Sequence, residues 1–296
     1  MGWRTIVIEN SAKLSLKNNS LVIQQAESVT IPLEDIDSLV LDGEGIVLSK
    51  NLLVELSKFK INTIICDDKH LPSTTILAYS QASRGTKTAR TQLDLPASTR
   101  KQLWRKIIMQ KIQNQADVLA CFNLQNSDLL ELSKTVRSGD VSNNEALAAR
   151  LYFSRLFEDA TRRKPTWYNT ALNYGYAIVR SNIARSVAAR GLISMIGLNH
   201  HSELNQYNLV DDLIEPFRAI VDQHILADIA ILHPIDTDDF LTRTDRHAII
   251  DILNKNVIIK NKKFSVKAAV DIVVDSFVTA ILEDNVEALE LPEIIH

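Results

Sequence analysis

The sequence predicts an α+β protein of two domains, an N-terminal β-rich domain built as a small β-sandwich with one helix, then a C-terminal all-helical domain. Three observations predict it. In the first eighty positions apolar residues come in short β-branched runs broken by turn residues, whereas from about Thr99 they recur three and four apart. Between the two regimes lies "YSQASRGTKTARTQLDLPAS", rich in Ser, Thr, Gly and Arg and closed by Pro96, which reads as a linker. The 296 residues are 46% hydrophobic, enough to give each half a core. The expected boundaries are 1–80 for the β-rich domain, 81–98 for the linker and 99–296 for the helical domain.

Taken in order, "RTIVIEN", "KLSLKNNSLVIQQ" and "SVTIPLEDIDSLVLDGEG" read as successive strands. Asn18–Asn19 between apolar arms suits a tight hairpin, because Asn tolerates positive φ. "LSKNLLVELSKFK" has helical spacing through Leu52, Leu53, Leu56 and Phe59, and "INTIICDD" returns to strand. Beyond the linker, Leu103, Trp104, Ile107, Ile108 and Ile112 form an apolar stripe that Leu147, Leu151, Phe153 and Leu156 continue. "FSVKAAVDIVVDSFVTAILEDN" closes the chain as a further amphipathic helix, and no run of alternating strands is expected after residue 99.

Composition narrows the function. A net charge of −3 means that any nucleic-acid role must rest on local patches. Cys66 and Cys121 have neither metal-ligand spacing nor a disulfide framework, so reduced thiols in a cytoplasmic, prokaryotic protein are expected. No secretory segment follows Met1 and no apolar run approaches a membrane span, so no membrane partner is expected; "MGWRTI" has Ile6 where a myristoylation signal wants Ser or Thr. "DGEGIVL" puts Leu48 where a dinucleotide loop needs its third glycine, and "RGTKT" lacks the upstream glycine of a phosphate loop. His-Glu-x-x-His, Gly-x-Ser-x-Gly and Cys-x-x-Cys are all absent, which leaves carboxylate and histidine chemistry.

That chemistry concentrates in "GLNHHSELNQYNLVDDLIEPFRAIVD". On a helix Asp211 and Asp212 share adjoining faces with Glu215, whereas Asp222 lies about 10 Å further along the axis, too far to share one ion. Pro216 implies a kink or a helix start near Glu215. Carboxylates with an imidazole suit Mg²⁺ or Mn²⁺, although acid pairs on helices are more often solvated surface. A further carboxylate, Glu145, follows Ser142 by three residues, the spacing of a capping box, so on spacing alone it reads first as a helix cap.

Charge is segregated along the chain. Arg84, Lys87, Arg90, Arg100, Lys101, Arg105, Lys106 and Lys111 fall in one block with the single acid Asp94. Arg150, Arg155, Arg162, Arg163, Lys164, Arg180, Arg185 and Arg190 form a second block with Glu158 and Asp159. Trp104, Trp167, Tyr168, Tyr174 and Tyr176 are interleaved. Phosphate contacts want such cations and aromatics can stack bases, with Arg84, Lys87, Arg90 and Arg180 as DNA-binding candidates. The competing reading is that these arginines pair with acids elsewhere.

The wording of "GWRTIVIENSAKLSLKNNSLVI", "IICDDKHLP", "NNEALAARLYF", "LNYGYAIVRS" and above all "GLNHHSELNQYNLVDDLIEPFR" resembles the integrase of CRISPR adaptation, CRISPR-associated protein one, in the shorter form of type II systems. The resemblance spans essentially the whole chain and implies a β-rich domain before a helical catalytic one. It implies a Mg²⁺ or Mn²⁺ site on Glu145, His200 and Glu215, with Asp212 supporting. The family pattern has one histidine where this chain has two, so His201 stays open beside His200. It further implies homodimers, two of them flanking a dimer of CRISPR-associated protein two, that hold a prespacer DNA duplex and join its 3′-hydroxyls to a CRISPR repeat. Two alternatives accompany this reading: a metal-dependent endonuclease on the same site, and a non-catalytic scaffold that binds DNA ends.

Overall fold

A computed structural model describes residues 2–77, 84–157, 166–230 and 240–295, and the chain divides into two compact units, Met1–Ala82 and Ser83–His296. Arg162, Arg163 and Lys164 of the second basic block, and the start of the expected linker, lie outside the described residues.

In the first unit the strands are β1 (Arg4–Ile8), β2 (Lys13–Lys17), β3 (Ser20–Gln24), β4 (Ser28–Pro32), β5 (Ile36–Leu41), β6 (Val47–Leu48), β7 (Asn62–Cys66) and β8 (Pro72–Ile76), with helix α1 (Lys50–Lys58) between β6 and β7. They form two four-stranded sheets, ordered β1-β5-β7-β8 and β4-β3-β2-β6. Asn18 and Asn19 take φ of 49° and 55° at the β2–β3 turn, where both positions need the left-handed region. Alternation along the strands sends Ile8, Leu14, Leu21, Leu39 and Leu41 inward, and Leu52 and Leu56 of α1 join them in one core. β8 was not visible as a strand in the sequence; it is an edge strand that opens on Pro72, the one strand position at which a missing N–H costs least.

The second unit is built on α3 (Ala97–Cys121), preceded by α2 (Gly85–Leu93) and followed by α4 (Ser127–Thr135), α5 (Asn144–Leu156), α6 (Trp167–Ala189), α7 (Asn208–Leu213), α8 (Glu215–Gln223), α9 (Arg243–Ile250) and α10 (Val266–Leu282). The expected stripe of Leu103, Trp104, Ile107, Ile108 and Ile112 is buried throughout. Gly175 of α6 sits where α8 crosses closely: a Cβ there would stand 2.6 Å from Val221 Cγ1.

Two sequence expectations need correction. The segment 81–98 is not linker over most of its length, because Gly85–Leu93 is helix α2 and belongs to the second unit. Its buried positions are Thr88 and Gln92, so no apolar stripe betrayed it; Gln92 instead donates to the carbonyls of Ile193 (3.0 Å) and Ile196 (2.7 Å) and accepts from Ile193 N (2.8 Å). Nor is the C-terminal part all-helical. β9 (Asn256–Ile259) and β10 (Lys262–Ser265) form an antiparallel hairpin whose turn residues Lys260 and Asn261 have φ of 49° and 62°. Strands of four residues are too short to carry a clear period, and the Lys-Asn turn lacks the glycine that marks most such hairpins.

Candidate active site

Helix α3 is the spine of the site. Trp104 and Lys111 are seven residues apart and therefore share one face, two turns separated. Three elements bring functional groups to that face: the start of α5, the start of α8, and the loop that leads into α7.

Glu145 lies in the first turn of α5. The capping box expected from Ser142 does not form. Asn143 takes φ of 55°, and the Asp140 carboxylate accepts from Asn144 N (2.9 Å) and Glu145 N (3.0 Å). Asp140 therefore caps the helix, and the Glu145 side chain is released to reach Lys111 Nζ at 2.6 Å.

Glu215 opens α8, with Pro216 in the first turn where its missing N–H is harmless. The Asn114 amide fixes this end by donating to the carbonyls of Pro216 (2.8 Å) and Pro292 (2.9 Å). Glu215 Oε2 meets the same Lys111 Nζ at 2.5 Å, and Oε1 accepts from Arg218 Nε at 2.9 Å. Burial alone would raise this carboxyl, but the charges of Lys111 and Arg218 outweigh it and bring its pKa down to about 2. Lys111 is raised in turn: burial opposes its charge, and Glu215 and Glu145 more than offset that.

Gly197 begins the third element. A Cβ at this residue would stand 2.4 Å from the His200 carbonyl oxygen and 2.6 Å from Asp212 Oδ2, so no larger side chain fits. The fully buried Asp212 carboxylate accepts from the backbone N–H groups of Leu198 (2.5 Å), Asn199 (3.2 Å) and His200 (3.1 Å), and meets His200 Nδ1 at 2.8 Å. The hydrogen bond to Asp212 raises the imidazole pKa against the opposing effect of burial. With Nδ1 engaged, Nε2 is the nitrogen presented outward; the side chain is 41% exposed and rests edge-on against Trp104, ring centroids 5.9 Å apart.

The sequence-predicted residues separate by role. Glu145 and Glu215 converge on one nitrogen, and His200 is within electrostatic reach of Glu215. Asp212 holds the histidine loop and has no lone pair to spare. Asp211, expected to cooperate with Glu215, instead pairs with Arg180 at 2.6 and 3.0 Å. Asp222 accepts hydrogen bonds from the Tyr152 and Tyr176 hydroxyls. His201 is exposed, its Nδ1 on the Asn199 carbonyl at 2.7 Å. Arg84, just before α2, and Lys87 and Arg90 on it are exposed, whereas Arg155, Arg185 and Arg190 are taken up by Asp128 and Asp271. Trp104, Trp167, Tyr174 and Tyr176 are core residues rather than platforms for bases.

Sequence reasoning missed Lys111, Arg218, Asn114 and Asp140 as parts of the site. For Lys111 a signal existed: it lies one turn from Ile107 and Ile108 and next to Ile112, on the side of α3 that the apolar stripe marks as buried. The donor set suits a hard divalent cation, with two carboxylates directed at a point that already holds positive charge and an imidazole whose tautomer is fixed by a buried acid. Among the described residues no three His, Cys, Asp or Glu side chains are arranged around a common point as they stand, and Lys111 Nζ lies between the two glutamates.

A family model described as CRISPR associated protein Cas1 matches residues 5–262. The chain belongs to the Cas1 family. Along its whole length it is 39% identical, over 302 aligned residues and 97% of the relative, to the CRISPR-associated endonuclease Cas1 of Neisseria meningitidis serogroup C (strain 8013). It is 26% identical, over 75% of this chain and 77% of the relative, to a CRISPR-associated endonuclease Cas1 of Francisella tularensis subsp. novicida (strain U112). Solved structures share the Cas1 fold. A casposase bound to integration product aligns with a TM-score of 0.78 at 19% identity, covering 95% of this chain and 91% of that one. A CAS1 protein from Thermotoga maritima gives 0.71 at 17% identity over 94% and 97%. A chain of a Cas6-RT-Cas1–Cas2 complex gives 0.72 at 18% identity, over 99% of this chain and 36% of that longer one. Among the described residues no helix is long and apolar enough to cross a membrane.

Proposed function

We propose that this Cas1-family chain is the integrase of CRISPR adaptation, joining the 3′-hydroxyl ends of a prespacer duplex to a CRISPR repeat by transesterification. The observation that carries the proposal is the convergence of Glu145 and Glu215, from two separate helix starts, on one cationic nitrogen beside an imidazole locked by Asp212. In this reading Glu145, Glu215 and His200 Nε2 hold Mg²⁺ or Mn²⁺. When bound, that ion supplies charge stabilisation at the reacting phosphate and lowers the proton affinity of the attacking oxygen. The residues of the chain do the rest. Asp212 keeps His200 oriented, Asn114 fixes the start of α8, and Arg218 holds the second oxygen of Glu215 so that its carboxylate presents one face. Exchange of one phosphodiester for another needs no nucleotide triphosphate, in keeping with the missing phosphate loop.

The Cas6-RT-Cas1–Cas2 complex and the casposase bound to integration product support Cas2 and an integration substrate as partners here; in this reading they are a prespacer duplex and a repeat-bearing target, held by homodimers of this chain on each side of a partner dimer. Arg84, just before α2, and Lys87 and Arg90 on it supply an exposed cationic edge for backbone phosphates. Replacing all three with alanine is expected to weaken DNA binding and to flatten the salt dependence by up to about three in log–log slope. Titrations at several salt concentrations measure this, and an unchanged slope removes these residues from the interface.

The name endonuclease carried by the relatives favours hydrolysis on the same site as a second reading. A strand-joining assay separates them, using labelled duplex, repeat-bearing plasmid, Cas2 and Mg²⁺ or Mn²⁺. Label joined covalently to plasmid only when the 3′ ends are free and Glu145 is intact is the expected result. Nicking that ignores the 3′ ends would assign hydrolysis instead, and binding without reaction in any lane would leave a DNA-end scaffold.

A further inference from the structure

Lys111 has no part in the chemistry proposed above, yet it is the most central group of the site. Its side chain is 9% exposed, and its ammonium lies 2.6 Å from Glu145 Oε1 and 2.5 Å from Glu215 Oε2. Glu215 does not need it for neutrality, because Arg218 already holds the other carboxylate oxygen at 2.9 Å. What does need it is the pair. Glu145 and Glu215 come from different helices, and two carboxylates facing each other in a site of low dielectric repel unless a positive charge lies between them.

The choice of cation is informative. Two other carboxylates of this unit that tie helices together are met by arginine forks: Asp128 by Arg155 at 2.6 and 2.7 Å, Asp211 by Arg180 at 2.6 and 3.0 Å. A guanidinium is planar and holds a carboxylate by two parallel bonds, so it fixes geometry. An ammonium is a compact point charge on a flexible four-carbon stem; it attracts without fixing direction, and it can rotate away. At the position between the two glutamates the chain uses the cation that most resembles a small ion.

We propose that Lys111 is an internal counter-cation: it holds Glu145 and Glu215 together in the metal-free protein and withdraws from between them when a divalent cation enters. The proposal rests on the metal-dependent reading of the site. It makes Lys111 a positioning residue and a competitor of the ion, so its charge weakens metal binding while its presence preserves the shape of the site. Metal occupancy then becomes responsive to whatever else, such as a DNA phosphate, draws the ammonium aside.

The test uses the full-length protein freed of metal with chelator, in the parent form and as Lys111→Met, Lys111→Gln and Glu145→Ala. Mn²⁺ binding is followed by the electron paramagnetic resonance of free Mn²⁺, and thermal unfolding is followed with and without Mn²⁺. Both neutral Lys111 variants are expected to bind Mn²⁺ on the order of tenfold more tightly than the parent, with Glu145→Ala binding weakly or not at all. Without metal both are expected to unfold at lower temperature than the parent, and Mn²⁺ is expected to close that gap. Neutral variants that fold only when Mn²⁺ is present support the proposal equally. Mn²⁺ binding no tighter than in the parent would overturn it, as would variants that stay unfolded even with Mn²⁺, because Lys111 would then be structural only. A parent that binds no Mn²⁺ sinks the metal-dependent reading itself, an outcome distinct from a parent that binds and variants that do not differ.

Discussion

Between α6 and α10, Asp271 is met by Ser186 Oγ at 2.7 Å, Arg190 Nη1 at 3.0 Å and Arg185 Nη2 at 3.2 Å, and Arg190 reaches on to Asp275 with Nε at 2.5 Å and Nη2 at 2.7 Å. Between α3, α5 and α8, Glu145 and Glu215 share the single ammonium of Lys111. Both clusters set two acids against two cations on packed helices, and both depress a carboxylate pKa. They differ in how completely the oxygens are used. Around Asp271 and Asp275 all four carboxylate oxygens accept directional bonds from arginine or serine. Around Lys111 the cation is a point charge on a flexible stem, Glu145 is 27% exposed, and the His200 side chain is 41% exposed. A cluster whose carboxylate oxygens are all bonded gives stability. An incompletely satisfied one, held in shape by neighbours that are themselves satisfied, gives a site.

That contrast predicts that substitutions around Lys111 cost activity, whereas substitutions around Asp271 cost stability. The largest effect is expected from Gly197→Ala. Its Cβ would force apart the His200 carbonyl and Asp212, and a displacement of about 1 Å in a catalytic group costs on the order of 100-fold in rate. Strand joining measured beside thermal unfolding checks this, and a full-rate variant would detach the Asp212-held loop from the chemistry. Next comes Asp271→Asn. It leaves Arg185 and Arg190 short of a charge partner and is expected to lower stability by roughly 2 kcal/mol, a fall of about 5 °C in Tm, with strand joining unchanged at permissive temperature.

The same variant carries a pH signature. Burial would raise the Asp271 carboxyl, but Arg185, Ser186 and Arg190 outweigh it and lower its pKa below the ordinary 3.8. A depressed folded value means that the stabilisation is fully present above 3.8 and is lost as pH falls through the folded value. The gap in Tm between parent and Asp271→Asn should therefore be full near pH 6 and narrow under stronger acid. A gap independent of pH would show that the aspartate acts by packing alone. The smallest effect is expected from His201→Ala, whose exposed ring is hydrogen-bonded to the Asn199 carbonyl: activity should stay within about twofold of the parent. Loss of joining in His201→Ala, with His200→Ala active, would reverse the assignment of the two histidines.

Much of this was legible in the residues. Period alone separated a strand-rich first part from a helical second part, and the buried stripe of α3 was read correctly from Leu103 to Ile112. The turn at Asn18–Asn19 and the helix start at Glu215–Pro216 followed from the φ demands of Asn and Pro. Helix α2 escaped because its inward face is polar, Thr88 and Gln92, and hydrogen bonds to a distant loop do the work that apolar burial does elsewhere. The β9–β10 hairpin escaped because it is too short to show a period.

The sequence by itself determined which residue types were at hand: the acids of the Asp-Asp-Leu-Ile-Glu-Pro segment, a pair of histidines, a glutamate after Asn144, and cations in two blocks. Only the tertiary structure decided their partners. The acids of that segment and the nearby Asp222 face four directions, Asp211 to Arg180, Asp212 to the His200 loop, Glu215 to Lys111 and Asp222 to two tyrosines. Most of the second basic block that is described is neutralised by acids from 27 to 86 positions away, a pairing that no local charge count contains. The physical reason is the range of the forces. Periodicity and capping act between residues three or four apart and are written in the local sequence, whereas the field at a buried charge is set by whichever helices pack around it.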